Sequence, residues 1–416
     1  MSCKEWKETT LGEVVDKVID YRGKTPKKLD GDWSAWGYRA LSAKNIKTGK
    51  IVQQETIRCV NEELYKKWMK DEVAKNDILI TSEAPFGEVY FWNTDEKIVL
   101  SQRLFALRSS KNVYAKFLYY YMTTYAYQQE LRNRATGTTV IGLRQPELLK
   151  TTIKYPSIPE QKAIADTLSC LDDKIELNNR INKTLEEMAQ AIFKSWFVDF
   201  EPFQEGEFVD SELGMIPKGW RVVEISEISK DIVCGKTPPT KDIDNYGNDI
   251  PFITIPDMHG NVYVTKTERK LSKKGILTQK NKTVPANSIC VSCIATAGLV
   301  SLASEDSQTN QQINTIICCD EICPYFVFLT LNTLSNYIRI LGSSGSTTCN
   351  LNKMQFSKIK IILPTNAVLN NFHMLITPEF SEIKEIQYQN QNLSEIRDTL
   401  LPKLMSGEID VSQISI

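Results

Sequence analysis

Three patterns along the 416-residue chain have residue types and spacings that could carry chemistry. Asp257 followed by Glu268-Arg269-Lys270 fits a loose nuclease pattern, in which carboxylates hold Mg2+. The pattern is weak by chance alone, and the aligned position in the first half of the chain is Asn45, with no Glu-x-Lys after it. Gly23-Lys24-Thr25 and Gly235-Lys236-Thr237 end like a phosphate-binding loop. The glycine such a loop needs five positions earlier is Val18 in one copy and Lys230 in the other, and a proline follows where a helix should continue. Nucleotide binding is rejected on that ground, and GKTP reads as a rigid turn presenting Lys and Thr. Cys290, Cys293, Cys318, Cys319 and Cys323 invite a zinc reading. Cys290 and Cys293 lie in a strand-like run, however, where residues three apart face opposite ways, so buried thiols are expected and no metal.

Only two histidines are present, His259 and His373, which nearly excludes histidine-based catalysis and His-rich metal sites. Neither an Asn-Pro-Pro-aromatic motif for amino-methyl transfer nor a glycine-rich loop for S-adenosylmethionine is evident. A chain with no convincing catalytic constellation is better suited to binding. The side chains for that are basic and amide residues in turns. In the first half they are Arg22, Lys24, Lys44, Asn45, Arg103, Thr138, Thr139 and Arg144. In the second half they are Lys236, Lys241, Gln311, Gln312, Ser346, Thr347, Thr348, Asn350 and Lys353. Arg and Lys can read guanine edges and Asn and Gln adenine edges, while Ser and Thr more often hold phosphates.

These residues recur because the chain repeats itself. Gly23-Lys-Thr-Pro26 returns as Gly235-Lys-Thr-Pro238, and Leu41-Ser-Ala-Lys-Asn-Ile46 aligns with Ile253-Thr-Ile-Pro-Asp-Met258, both at an offset of 212. Lys75 to Ser82 aligns with Ala286 to Cys293 at 211, and Gly137 to Leu143 with Gly345 to Leu351 at 208. Drifting offsets mean small loop insertions within two copies of one unit. Each copy opens with β-branched runs, Gly/Pro/Asn turns and short helical stretches, an α+β pattern. Ile78-Leu-Ile80 and Ile98-Val-Leu100 read as strands and Ala115 to Arg132 as a helix.

Each copy closes with a long helical pattern. Ser157-Ile-Pro-Glu160 is a helix-start signature with Pro inside the first turn. From there Ile164, Leu168, Leu171, Ile175, Asn178, Asn182, Leu185, Ala189, Ile192 and Trp196 step by four and three. Adding 208 gives Phe372, Ile376, Glu379, Ile383, Ile386, Asn390, Leu393, Arg397, Leu400 and Leu404, a second heptad seam. The two helices are expected to pack antiparallel as a coiled-coil spacer. Asn182 and Asn390 hold the same seam position, where a paired Asn fixes register. Thr377-Pro378 predicts a kink or restart in the second helix. Trp196 and Phe197 cannot both enter one seam, so one of them is expected to meet a partner or the end of the facing helix.

Hydrophobic residues make up 42% and charged residues 24% of the chain, as in ordinary globular proteins. The charge is segregated. Residues 1–156 hold 26 basic and 19 acidic side chains, net +7, and residues 217–365 hold 16 and 12, net +4. Residues 157–216 hold 5 and 13, net −8, and residues 366–416 hold 3 and 7, net −4. Basic globular parts suit phosphate contact; acidic helices suit spacing and protein docking. The polar start MSCKEWKETT is unlike a signal peptide, and no apolar run reaches a membrane span, so free thiols in a cytoplasmic protein are expected.

At the helices the sequence resembles a known family. Ile158-Pro-Glu-Gln161, with Leu185 through Phe200, resembles the first conserved region of the specificity subunits of type I restriction-modification systems. Ile216-Pro-Lys-Gly-Trp220 looks like the opening of that family's second target-recognition domain, and Leu393 through Ile409 like its C-terminal conserved region. The resemblance implies target-recognition domains at 1–156 and 217–365, a central helix at 157–200, a linker at 201–216 and a C-terminal helix at 366–416. It implies a non-catalytic, DNA-binding subunit that reads a split site and docks two methyltransferase subunits and restriction subunits. S-adenosylmethionine, ATP and Mg2+ would belong to those partners. Two other readings stay open: a stand-alone nuclease built on Asp257, Glu268 and Lys270, and a DNA-free coiled-coil adaptor.

Overall fold

The computed structural model describes residues 6–137, 141–343 and 349–411. The chain divides into two compact units, 1–173 with 394–416, and 174–393. This division differs from the expected one at the helices: the first long helix, Ile158–Phe197, and the second, Asn366–Met405, each give residues to both units.

In the first unit the strand Leu104–Ser109 lies between Val15–Asp20 and Ile78–Thr81, all antiparallel, and Val89–Phe91 extends the sheet. Ile78-Leu79-Ile80 is buried on both faces, which is why it reads as an unbroken apolar run. A three-stranded sheet places Tyr38–Leu41 between Arg58–Val60 and Val99–Leu100. The helix expected over Ala115 to Arg132 is two helices, Ala115–Thr123 and Tyr125–Arg134. Thr124 breaks it: its backbone is extended and its hydroxyl accepts the Tyr127 N–H, so it caps the second helix instead of continuing the first. The long helices join this unit's core through Ile164, Ala165, Leu168, Leu404 and Met405, which pack with Phe117 and Tyr120. Buried Gln161 accepts the Tyr114 N–H and donates to the Pro156 carbonyl, fastening the helix start. Arg397 bonds Asp172 at 2.7 Å, and Asp172 also accepts from the Tyr120 hydroxyl. Burial opposes the Arg397 charge, but its carboxylate partners hold its pKa above the usual guanidinium value.

The second unit repeats the plan. Ile313–Cys318 lies between Ser229–Cys234 and Ile289–Ser292, with Val300–Ala303 and Tyr263–Val264 beyond. Cys290 and Cys293 fall in separate apolar clusters, as expected for residues facing opposite ways, and burial pushes both thiols up to about 12. Here the two helices run in opposite directions: Asn178 meets Asn390, while Phe193 and Phe197 meet Phe372.

The seam departs from the expected one in register. Phe372, Ile376, Ile383, Ile386 and Leu404 are buried, but Phe193 and Phe380 are buried where Ile192 and Glu379 were expected, one residue away. Leu171, Ile175, Leu185, Leu393 and Leu400 are only half-buried. A helix with 3.6 residues per turn drifts out of a strict heptad, and the large aromatic rings settle the register. The two homologous asparagines do not meet. Asn390 accepts from Asn178 and donates to Asn179, both at 2.9 Å, whereas Asn182 is buried with its side-chain oxygen unpartnered among the described residues. Nor does Thr377-Pro378 restart the second helix, which runs through it. Pro378 forgoes only the bond to Met374, on the exposed face, and the Thr377 hydroxyl bonds the His373 carbonyl at 2.6 Å. No helix among the described residues is long and apolar enough to cross a membrane.

Candidate nucleic-acid interface

In the first unit four loops converge at one end of the central sheet. They follow the strands Val15–Asp20, Ile78–Thr81 and Val99–Leu100, and precede the helix Gln145–Leu149. Backbone bonds tie them together: the Ser82 N–H to the Arg103 carbonyl at 2.9 Å, the Leu143 N–H to Ser82 at 3.0 Å, and the reciprocal pair between Thr136 and Gly142. They enclose a cleft of about 430 Å3 lined by Arg22, Gly23, Ser82, Glu83, Gln102, Arg103, Thr136, Gly142, Leu143 and Arg144.

The three arginines differ in how much of each is free. Arg22 donates twice to Asp20 at 2.9 Å and once to the Leu143 carbonyl, and its guanidinium lies 3.9 Å from the centre of the Phe105 ring. It is a braced wall of the cleft. Arg103, in the turn before the Leu104–Ser109 strand, takes a left-handed backbone, φ 62°; its Nε pairs with Glu83 at 2.9 Å and about half of the side chain is exposed. Arg144, before the Gln145–Leu149 helix, is exposed and makes no ion pair among the described residues. Arg22 adds charge to the wall, while Arg103 and Arg144 offer guanidinium donors to the cleft, a surface that fits phosphate or a guanine edge.

The same framework stands in the second unit. The Cys293 N–H bonds the Gln312 carbonyl at 2.8 Å, and the Leu351 N–H bonds Cys293 at 2.9 Å, matching Ser82–Arg103 and Leu143–Ser82. Left-handed residues recur in step, with Asn76 and Asn287, Ala84 and Ala295, and Gly87 and Gly298 all at positive φ. On this framework Gln312 stands where Arg103 does and Asn352 where Arg144 does. Gln312 is half-buried, and its side-chain oxygen accepts from Asn310 at 3.0 Å. Gln311 accepts from the Thr237 hydroxyl at 2.6 Å. Asn350 is exposed beside them.

Other expected contacts lie elsewhere. Asn45 is buried: its oxygen accepts from the Ser42 N–H and hydroxyl, and its amide donates to the Gln53 carbonyl and the Thr56 hydroxyl. It caps a turn and has nothing left for a ligand. Lys24 folds inward onto the Trp68 carbonyl and the Tyr21 ring, and burial with the neighbouring Lys70 lowers its pKa. Lys44, Lys236 and Lys241 are exposed, and Lys353 pairs with Asp231 at 3.5 Å. Thr138, Thr139, Ser346, Thr347 and Thr348 lie outside the described residues. Trp196 and Phe197 both turn into the second unit's core, Phe197 4.8 Å from Phe372 and 5.8 Å from Trp220. Both rings thus meet Phe372 near the start of the facing helix, one of the two positions expected for this pair; Phe197 is buried there and Trp196 half-buried.

Asp257 answers the nuclease reading. It sits where Asn45 sits and does the same work, accepting from the Thr254 N–H and hydroxyl and from the Glu268 N–H. A carboxylate whose two oxygens already accept from two backbone N–H groups and a hydroxyl is a poor metal ligand. Residues missed in the sequence are Asp20, Glu83 and Asn310, which orient the readers, and Asn352, which the 208-residue offset pairs with Arg144.

Comparison with known proteins agrees along the whole chain. Residues 3–187 and 217–367 match the family described as type I restriction modification DNA specificity domain. The HindI specificity subunit of Haemophilus influenzae is 32% identical over 97% of this chain and 100% of its own length. The MjaIX specificity subunit of Methanocaldococcus jannaschii is 28% identical over 99% of this chain and 98% of its own. The crystal structure of a type I system S subunit from M. genitalium superposes with a TM-score of 0.61 at 17% identity, covering 97% of each chain.

Proposed function

Because this chain belongs to the type I restriction-modification DNA specificity family, we propose that each repeat reads one half of a bipartite DNA site through the cleft just described. The observation that carries this reading is the pair of loop frameworks, one in each unit, joined by matching backbone hydrogen bonds and presenting different polar side chains from equivalent positions. Duplicated basic domains explain the first requirement, phosphate affinity. Distinct reading residues explain the second, since two halves of a site differ in sequence.

The chain has no catalytic role of its own in this reading. It positions two methyltransferase subunits and restriction subunits in the cytoplasm, and S-adenosylmethionine, ATP and Mg2+ belong to those partners. The engaged state of Asp257 supports the same view against the nuclease alternative. The test is duplex binding by the purified full chain with its methyltransferase partner. The proposal expects salt-dependent, sequence-selective binding, with no strand cleavage by the chain alone in Mg2+. Cleavage lost in Asp257→Asn would instead support the nuclease, and no DNA binding at any salt would support the adaptor.

A further inference from the structure

We propose that the two loop frameworks differ in the kind of base they read: Arg103, with Arg144 lining the same cleft, takes a guanine in one half-site, and Gln312 takes an adenine at the equivalent step of the other, while Asn352, at the position of Arg144, caps the Lys353–Ser357 helix. The inference rests on the bipartite-reader proposal and deepens it.

Backbone hydrogen bonds set the equivalence, since Ser82 bonds Arg103 as Cys293 bonds Gln312, and the repeat offset agrees, since Leu143 precedes Arg144 as Leu351 precedes Asn352. At both positions a cationic fork in one unit is replaced by a neutral amide in the other. Each principal reader is also braced. Glu83 pairs with the Nε of Arg103 at 2.9 Å, and the arginine side chain stays about half exposed. Asn310, itself buried, donates to the oxygen of Gln312 while accepting the Gln312 N–H. Bracing lowers the rotamer entropy lost on binding and fixes the direction of donors.

The chemistry then separates the two. A guanine presents two acceptors, N7 and O6, to the major groove, which match two parallel N–H donors and no acceptor, as in arginine. An adenine presents an acceptor and a donor, N7 and the N6 amine, which match an amide carrying both. The counterpart of Arg22 is Cys234, so the second loop framework also lacks the braced guanidinium. It therefore carries less positive charge and contributes less phosphate affinity.

The test uses the full chain assembled with its methyltransferase partner, and selects bound duplexes from a randomised library for the wild type, Arg103→Gln and Gln312→Arg. The wild type should enrich two halves, one holding a guanine and the other an adenine that answer to these residues. Arg103→Gln should abolish the guanine preference at a single position, a loss of roughly 5- to 150-fold in discrimination, and leave the other half intact. Gln312→Arg should move one adenine toward guanine in that other half. Gln53 holds a comparable left-handed backbone, φ 49°, so glutamine is tolerated at Arg103. Should Arg103→Gln lose every preference in its half, the exposed Arg144→Gln is read by the same criterion. Uniform weakening across sequences with unchanged base preference would make Arg103 a phosphate contact and overturn the inference. Failure of the wild type to enrich any two-part site would overturn the reader proposal itself.

Discussion

The loops around Ser42 to Asn45 and Thr254 to Asp257 fold alike, with one polar side chain closing the turn onto the hydroxyl three residues before it. The loops around Arg103 and Gln312 also share backbone geometry, yet there the side chains differ in charge and size. The first pair of loops faces inward and the second outward. Two copies of one unit have kept what the fold needs at the inner positions and changed what a ligand would meet at the outer ones. Equivalent backbone with unlike exposed side chains is what two readers of unlike half-sites require.

The comparison is broken most strongly in the helical seam. Ile164 and Phe372 are the same position in the two copies, and both are buried. Phe372→Ala should cost about 3–5 kcal/mol and Ile164→Ala about 2–4 kcal/mol. Urea unfolding, followed by tryptophan fluorescence, should show the midpoint fall further for Phe372→Ala. Equal, small shifts would mean that these two residues do not anchor the cores of their units.

Glycine in the GKTP turn distinguishes the copies more finely. A Cβ on Gly235 would lie 2.2 Å from the Asn310 carbonyl oxygen and 2.3 Å from that of Thr309, and neither can move without breaking the sheet edge. On Gly23 it would meet nothing within 4 Å, so only the left-handed φ of 86° opposes it. Gly235→Ala should destabilise by about 3 kcal/mol or more, and Gly23→Ala by about 1 kcal/mol, measured as the difference in thermal midpoint. Similar losses would contradict the tighter packing of the second turn.

Asn45→Ala and Asp257→Ala should each cost about 1–2 kcal/mol through loss of the cap. Neither should alter base preference in a duplex selection, which separates turn-closing residues from readers. The smallest effect is chemical. Burial that pushes the Cys290 and Cys293 thiols up to about 12 keeps them protonated at neutral pH and slow to alkylate, whereas Cys170 is exposed. Mass spectrometry after brief iodoacetamide treatment should find Cys170 modified first. Rapid labelling of Cys290 would contradict a closed second core.

The sequence made the repeat, the two long helices and the α+β class legible, because those rest on periodicities that survive along tens of residues. Arg22, Arg103 and Arg144 were also found, as basic residues in turns that the fold brings to one cleft. Asn45 was misread because a short polar residue in a turn looks the same whether it caps the turn or waits for a ligand; only the Ser42 hydroxyl three residues earlier distinguishes the two. Lys24 was misread because the direction of a long side chain depends on Trp68, 44 residues away. The pairing of Glu83 with Arg103 joins two loops through strand order, which local pattern does not encode. The seam slipped by one residue where aromatic bulk overrode the heptad.

The central claim is that the two units read independently. It is tested most directly by exchanging residues 1–156 for the corresponding domain of a relative with a different site, then mapping methylated adenines across the genome of cells that also express the partner methyltransferase. The account predicts that one half of the methylated motif changes and the other half stays as in the wild type. A change in both halves would contradict it.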